Sequence, residues 1–162
     1  MALRGSLKIG GRTYGVVECT YKFEQNVDNT GKPTSRPKGG VITIVMPSTN
    51  DDDMFFYNWM FHKSEVKAGI LRFILYSHEN KRSYKTVSFA NAYCVELTDN
   101  FNDHDAKLMY TTIKISAQVI RIGAANASVF VNDWSLDPAE SIATNLGEYV
   151  RDAIAEKLNP LR

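Results

Sequence analysis

The sequence predicts a mainly β protein: a small β-barrel of two packed antiparallel sheets, with one inserted α-helix and a C-terminal α-helix. Two observations predict the strands. Apolar and polar residues alternate over several stretches before residue 123, which is typical of half-buried strands. Gly, Pro, Asn and Asp cluster between these stretches, as they do in turns. A third observation predicts the last helix, because apolar residues recur at helical spacing after residue 137.

The strands are predicted in chain order from this alternation and from the turn residues that bound it. They cover residues 7–9, 14–25, 41–46, 69–77, 84–98, 108–122 and 128–132. In the second strand, one face is expected to hold Val17, Cys19, Tyr21 and Phe23. Between the second and third strands, residues 26–40 form a long polar loop, and loops of this length are usually functional or disordered.

The inserted helix is predicted after the third strand. Ser48, Thr49 or Asn50 can cap it, and Asp51–Asp53 suit the positive end of its dipole. Its aromatic residues, including Phe55, are expected to serve the core and subunit contacts.

The C-terminal helix is predicted over residues 138–158. Asp137 is its N-cap, Pro138 its first residue and Glu140 the acid of a capping box. Its apolar residues at helical spacing are Ile142, Leu146, Tyr149, Val150, Ala153, Ile154 and Leu158. We therefore divide the chain into a β-barrel domain, residues 1–123, and an extension with an amphipathic helix, residues 124–162.

Composition and charge narrow the function classes. A chain of 162 residues with 44% hydrophobic residues is long and apolar enough for one folded domain. The net charge of +1 gives no long-range field for nucleic acid. No apolar run reaches the length of about 20 residues that a membrane-spanning helix needs, and the first residues lack the apolar stretch of a secretory signal. We expect folding in the cytoplasm, export by another route, and no membrane insertion by the chain itself.

No catalytic or metal-binding motif stands out. His62, His78 and His104 have no nucleophile motif beside them, and Asn102–Asp105 is typical of a solvated turn. The two cysteines, Cys19 and Cys94, are predicted to be small buried residues without a disulfide. The prediction is a non-enzymatic protein with no catalytic residues, no cofactor and no metal.

The long loop carries a specific motif. After a strand that ends in Phe-x-Gln, the loop follows the pattern Asp-x-x-Gly-x-Pro-x-x-Arg-x-x-Gly-Gly. The matching residues are Gln25, Asp28, Gly31, Pro33, Arg36, Gly39 and Gly40. This motif resembles the signature of the type VI secretion tube proteins of Bacteroidetes, the TssD-like members of the hemolysin-coregulated-protein family, which are related to phage tail tube proteins. The resemblance covers residues 5–122.

The resemblance implies a fold, a role and partners. The fold is a β-barrel with a helix on its side. Six subunits form a ring, rings stack head to tail into a hollow tube, and a contracting sheath expels the tube from the cell with effectors. The implied partners are copies of the same chain and the sheath, spike and effector proteins. The seven motif residues are implied to belong to a loop, Asp28 through Gly40, that reaches the adjoining ring.

One strand face fits a wetted lumen of such a tube. It consists of Thr112, Lys114, Ser116 and Gln118, which alternate with Ile113, Ile115, Ala117 and Val119. These four side chains are too polar for a core, so we predict that they face the lumen.

Two other functions remain open. The strands and the aromatic helix also fit a small-ligand-binding β-barrel, which requires an enclosed apolar cavity in one subunit. A tube-like module that carries an effector or an enzyme would need a catalytic cluster near His104 or within residues 124–162.

Overall fold

The computed structural model describes residues 4–104 and 108–134. Its elements are β1 (Gly5–Ile9), β2 (Arg12–Gly15), β3 (Glu18–Tyr21), β4 (Val41–Pro47), α1 (Phe55–Phe61), β5 (Lys67–Tyr76), β6 (Arg82–Phe101), β7 (Met109–Ile122) and β8 (Ser128–Val131). The prediction of a mainly β fold with one inserted helix is confirmed for these residues. The helix predicted over residues 138–158 lies outside them.

All eight strands belong to one antiparallel sheet. The order is β2-β1-β5-β6-β7-β4-β3, and β8 pairs with the last residues of β7. The prediction of two separate packed sheets is therefore not confirmed. The reason is β6, whose 20 residues pair first with β5 and, along most of their length, with β7, so one strand belongs to both halves of the sheet.

Part-way along β6 and β7, the side chains that point into the main core change from one face of the sheet to the other. Ala92 and Ala117 pack in the main core, whereas Ala90 and Val119 pack in a second cluster. Residues two apart on a flat strand share a face, so this exchange marks a bend between them.

A buried polar pair occupies the bend. Asn91 has a left-handed backbone conformation, with φ of 50°, and its side-chain amide donates to Gln118 Oε1 over 3.2 Å. Asn tolerates positive φ better than most residues. The pair gives both amides a partner inside the protein, where an unpaired amide would be costly.

The bend and one short crossing bring the two ends of the sheet together. Val16 N–H donates to Gly5 O over 2.9 Å, and Val17 N–H donates to Val45 O over 2.8 Å, so the chain passes directly from the β1 side to the β4 side. The single strand predicted over residues 14–25 is wrong for this reason: the chain breaks into β2 and β3 at this crossing. Val17, predicted to share the buried face, is 61% exposed.

Large side chains fill the space that the curled sheet encloses. The largest fully buried side chains are Trp59, Phe56, Phe89, Leu7, Ile42, Ile44, Met46, Leu71, Ile113, Ile115, Ile120 and Val87. Each such side chain contributes about 1.5–3 kcal/mol relative to an exposed position. Helix α1 contributes Phe56 and Trp59, and Trp59 Nε1 donates to Glu65 O over 3.0 Å. Within the described residues, no helix has the length and apolarity needed to cross a bilayer.

Helix α1 begins later than the sequence predicts. Its first residue is Phe55, its N-cap residue Met54 makes no side-chain hydrogen bond, and its first turn contains no acidic residue. The predicted caps Ser48, Thr49 and Asn50 therefore lie before the helix, and of Asp51–Asp53 only Asp53 contacts its start, through Phe55 N–H. The burial of Phe56 and Trp59 sets the position of the helix, and the aspartates lie in the preceding turn.

Asp53 instead joins the helix start to β2. Its Oδ1 accepts a hydrogen bond from Phe55 N–H over 3.1 Å and lies 2.7 Å from Arg12 Nη1, and its Oδ2 accepts from Tyr14 OH over 2.8 Å. Partial burial alone would raise the pKa of Asp53. The three hydrogen bonds and the Arg12 charge outweigh it, so the pKa lies below its ordinary value of 3.8.

We predict that Asp53→Ala lowers the free energy of unfolding by about 1–3 kcal/mol, because it leaves several donors without their acceptor. Denaturant titration measures this loss. Asp52→Ala is the matched control: Asp52 is exposed, so its substitution should change stability by no more than about 0.5 kcal/mol.

The contribution of Asp53 also has a defined pH dependence. Because its pKa is lower in the folded chain, its stabilisation is complete above the ordinary value of 3.8 and is lost as pH falls through the folded value. Asp53→Asn should therefore flatten the acid side of the stability profile. An unchanged profile would contradict the stabilising contacts of the Asp53 carboxylate with Arg12, Tyr14 and Phe55.

Candidate functional site

The predicted long loop is an ordered hairpin, which we call the arm (residues 22–40). At its base, Glu24 and Lys38 exchange backbone hydrogen bonds of 3.0 and 2.7 Å. Farther out, Thr34 N–H donates to Asn26 O over 2.7 Å, and Asn26 N–H donates to Ser35 Oγ over 2.8 Å. The arm therefore has its own hydrogen-bond ladder despite its polar sequence.

Asp28 organises the tip of the arm. Its Oδ1 accepts hydrogen bonds from Thr30 Oγ1, Thr30 N–H and Lys32 N–H at 2.7, 2.8 and 3.0 Å. The Thr30 hydroxyl, followed by the backbone donors, holds the pKa of Asp28 below its ordinary value. Gly31 completes the turn with φ of 87°, a conformation that Gly adopts without strain.

The base of the arm is fastened to the sheet by the residues after β8. Asn132 Nδ2 donates to Ala117 O over 3.0 Å and to Gly39 O over 3.3 Å. Gly40 has φ of 104°, and a Cβ there would overlap the Asn132 amide. This close approach explains the Gly residue of the motif at position 40.

Two further contacts hold the arm against β8 and the residues after it. Arg36 Nη1 and Asp133 Oδ2 form an exposed ion pair of 2.8 Å. The rings of Phe23 and Phe130 lie 5.2 Å apart between centroids. An exposed ion pair contributes at most about 1 kcal/mol, so the ring contact and the Asn132 hydrogen bonds carry most of the attachment.

The motif residues thus divide between the two ends of the arm. Asp28, Gly31 and Pro33 lie at the exposed tip, and Gly39 and Gly40 lie at the base. Gln25 and Arg36 lie between them and are both exposed. Sequence reasoning missed the anchors Asn132 and Asp133, which no local pattern connects to residues more than 90 positions earlier.

The predicted lumen residues lie on one polar face of the sheet, with one exception. Thr112, Lys114 and Ser116 are half-buried, and Lys114 Nζ lies 3.2 Å from Glu96 Oε2 on β6. Gln118 continues the row but is buried: its Nε2 donates to Trp134 O over 2.5 Å. The Trp134 ring stacks on Tyr93 with 5.6 Å between centroids, so the exposed part of the row ends at Ser116.

Comparison with known proteins assigns the family. The family model described as "Hemolysin coregulated protein Hcp (TssD)" matches residues 1–135. The chain belongs to the Hcp family. The family inferred from the arm motif is confirmed.

Solved structures support the assignment. Hcp1 from Flavobacterium johnsoniae is 30% identical and superposes with a TM-score of 0.69 over 80% of this chain and 100% of its own. Hcp1 from E. coli EAEC 042 is 12% identical, with a TM-score of 0.63 over 83% of this chain and 100% of its own. At that identity the second similarity shows the Hcp fold alone. No curated protein sequence matches the chain.

The two cysteines of this Hcp chain lack the surroundings of a reactive thiol. Both cysteines are free, and burial raises the pKa of each thiol to about 11, so neither is a thiolate at neutral pH. His104 N–H donates to Asn102 Oδ1 over 2.9 Å, which is the local turn expected for that stretch. Asp105 lies outside the described residues.

We predict that Gly40→Ala lowers the free energy of unfolding by about 2–4 kcal/mol, because it combines positive-φ strain with the overlap at Asn132. Gly31→Ala is the control: φ is also positive, but no atom lies within 4 Å of the added Cβ. Its cost should be about 1 kcal/mol. Equal losses in denaturant titration would contradict the close contact at the arm base.

Proposed function

We propose that this Hcp chain is a structural, non-enzymatic subunit of the inner tube of a type VI secretion apparatus. Six copies form a ring, and rings stack head to tail. The observation that carries the proposal, beside family membership, is that part of the curled sheet has a polar face and two strand edges suited to pairing with neighbouring copies.

The two edges lie on opposite sides of a four-stranded region. Strand β3 ends the sheet on one side. On the other side, β5 pairs with β6 only as far as Ala92, so the rest of β6 forms a second edge. Exposed edges are templates for pairing with other chains, and closure into a ring removes them. In the proposed ring, the β3 edge of one subunit pairs with the β6 edge of the next.

Ring closure places the polar face inside. Thr112, Lys114 and Ser116 then line the lumen, together with Thr43 on β4, which pairs with Lys114, and Glu96 on β6. The Lys114–Glu96 pair keeps this part of the wall close to neutral. Gln118 supports the wall from within, through its buried contact with Trp134.

The arm suits a contact between successive rings. Its tip is exposed while its backbone is already ordered, so contact with another ring costs little conformational entropy. A head-to-tail contact of this kind joins two different surfaces and can repeat without limit. We assign Gln25, Asp28, Gly31, Pro33 and Arg36 to this contact, with Gly39 and Gly40 setting the direction of the arm.

The same proposal includes the finer features of the fold and of the apparatus. The two halves of the bent sheet act as the two packed layers of the barrel, residues 1–123. Residues 124–162 extend it, attached through β8. The chain folds in the cytoplasm, and the apparatus expels it together with effectors, through contacts with sheath and spike proteins.

The proposal predicts that the full chain forms closed rings of six at high concentration, measured by native mass spectrometry and electron microscopy. A variant with a short arm, in which Asn-Gly replaces residues 27–33, should keep the rings and lose their stacks. A strictly monomeric full chain would contradict the proposed function, whereas intact stacks of the short-arm variant would contradict only the role of the arm.

A second prediction separates two roles of Arg36. If Arg36 contacts the adjoining ring, Arg36→Ala weakens stacking, while Asp133→Ala removes only an exposed ion pair and leaves stacking nearly unchanged. We expect that difference in sedimentation of assembled material. Equal loss in both variants would mean that Arg36 acts only by holding the arm against Asp133.

A further inference from the structure

One face of the sheet carries unbalanced positive charge. It is the outer face of β1, β5, the first half of β6 and the end of β7, and we call it the basic face. Strand register places four cations on it: Lys8, Arg72, Arg82 and Arg121. The positions between and beside them hold Ile70, Ile74, Tyr76, Tyr84, Thr86 and Ser88. No carboxylate occupies a position of this face on these described strands.

Six other cations of the described residues lie close to a carboxylate, and the four cations of the basic face do not. Arg12, Lys22, Arg36, Lys67, Lys81 and Lys114 each lie within 4.0 Å of an Asp or Glu oxygen. Within residues 4–104 and 108–134, none of the four cations of the basic face has such a partner. Arg72 lies over the Tyr84 ring, 4.0 Å from its centroid. The face therefore combines unneutralised charge with exposed aromatic surface.

An apolar pocket opens on the same face. It has a volume of about 300 Å³ and lies beside Gly69, between β1, β5 and β6. Its lining includes Ala68, Ile70 and Ser88, and Lys8 stands at its rim. A partner that fits this surface must present acidic side chains together with apolar ones.

Residues 135–162 of the chain have this composition. They contain five acidic residues, Asp137, Glu140, Glu148, Asp152 and Glu156, against three basic ones, Arg151, Lys157 and Arg162, which is a net charge of −2. Their sequence also predicts an apolar stripe that includes Ile142, Leu146 and Tyr149. The family model ends at residue 135, and 80% of this chain covers the whole of Hcp1 from Flavobacterium johnsoniae, so the segment lies beyond the part that the family model matches.

The chain enters this segment next to the basic face. Val129 and Val131 of β8 pack with Ala90 and Val119, on the side of the sheet that also carries Arg121. From β8 to β1 the face is four inter-strand spacings wide, about 19 Å. A helix over the predicted residues 138–158 would be about 30 Å long, which is enough to cross it.

We propose that residues 135–162 dock on the basic face of their own subunit, with acidic side chains against Lys8, Arg72, Arg82 and Arg121 and an apolar side chain in the pocket beside Gly69. The docking does not require ring formation and goes beyond the proposed tube function. It neutralises the face and withdraws its aromatic surface from other proteins.

Zero-length carbodiimide cross-linking of the full chain tests the proposal, because this reagent joins a lysine amine to a carboxylate in direct contact. We expect Lys8 to be joined to a carboxylate within residues 137–156. Cross-linking an equal mixture of unlabelled and ¹⁵N-labelled chains identifies the occupant. Docking within one subunit gives linked peptides of a single isotope, whereas docking of a second copy gives mixed pairs and would overturn the proposal.

Variants test the charge contribution. Arg72→Glu should lower the yield of the Lys8 cross-link by about fivefold through repulsion of the acidic segment, and Arg72→Lys should restore most of it. Lys63→Glu, an equal charge change at an exposed position outside the basic face, is the control for net charge. Circular dichroism confirms that each variant is folded. Absence of any cross-link between Lys8 and residues 137–156, while other lysines react, would also overturn the proposal.

Discussion

The structure depends on β6 serving two halves of one sheet. Because its first part pairs with β5 and most of its length pairs with β7, the sheet cannot separate into two independent layers. It must bend, and the bend lies where Asn91 and Gln118 pair inside the protein. The bend creates the enclosed core. It also leaves the part of β6 after Ala92 without β5 beside it. The same constraint therefore produces both the stable interior and an edge that another subunit can use.

The arm shows how a polar segment is given a fixed direction. Its ladder makes it a hairpin, but a hairpin alone is only marginally stable in water. The attachment at Asn132 and the contact between Phe23 and Phe130 supply the missing tertiary support. Residues just after β8 thus orient a surface that ends more than 90 positions earlier in the chain, and the same stretch, through Trp134, covers the buried Gln118.

Much of the fold could be predicted from sequence, because alternation along β4 and β7 directly reflects which side chains the core buries. The crossing at Val16 and Val17 could not, since its hydrogen bonds go to distant strands. The helix starts after the predicted caps Ser48, Thr49 and Asn50, because the burial of Phe56 and Trp59 fixes its position. For the arm, the motif marks the segment that forms the hairpin, but the anchors Asn132 and Asp133 lie too far along the chain for any local pattern to connect them.

Net charge describes this molecule poorly at short range. A value of +1 argues against a long-range field, because the opposite charges nearly balance and salt screens exposed charges beyond the Debye length, about 10 Å in moderate salt. Nearer the surface the charges are segregated. On the polar face Lys114 is matched by Glu96, whereas Lys8, Arg72, Arg82 and Arg121 share a face without a carboxylate. The acidic excess that balances them must lie elsewhere in the chain, and residues 135–162 hold part of it. Balance in composition is therefore consistent with strong local attraction between two parts of the same chain.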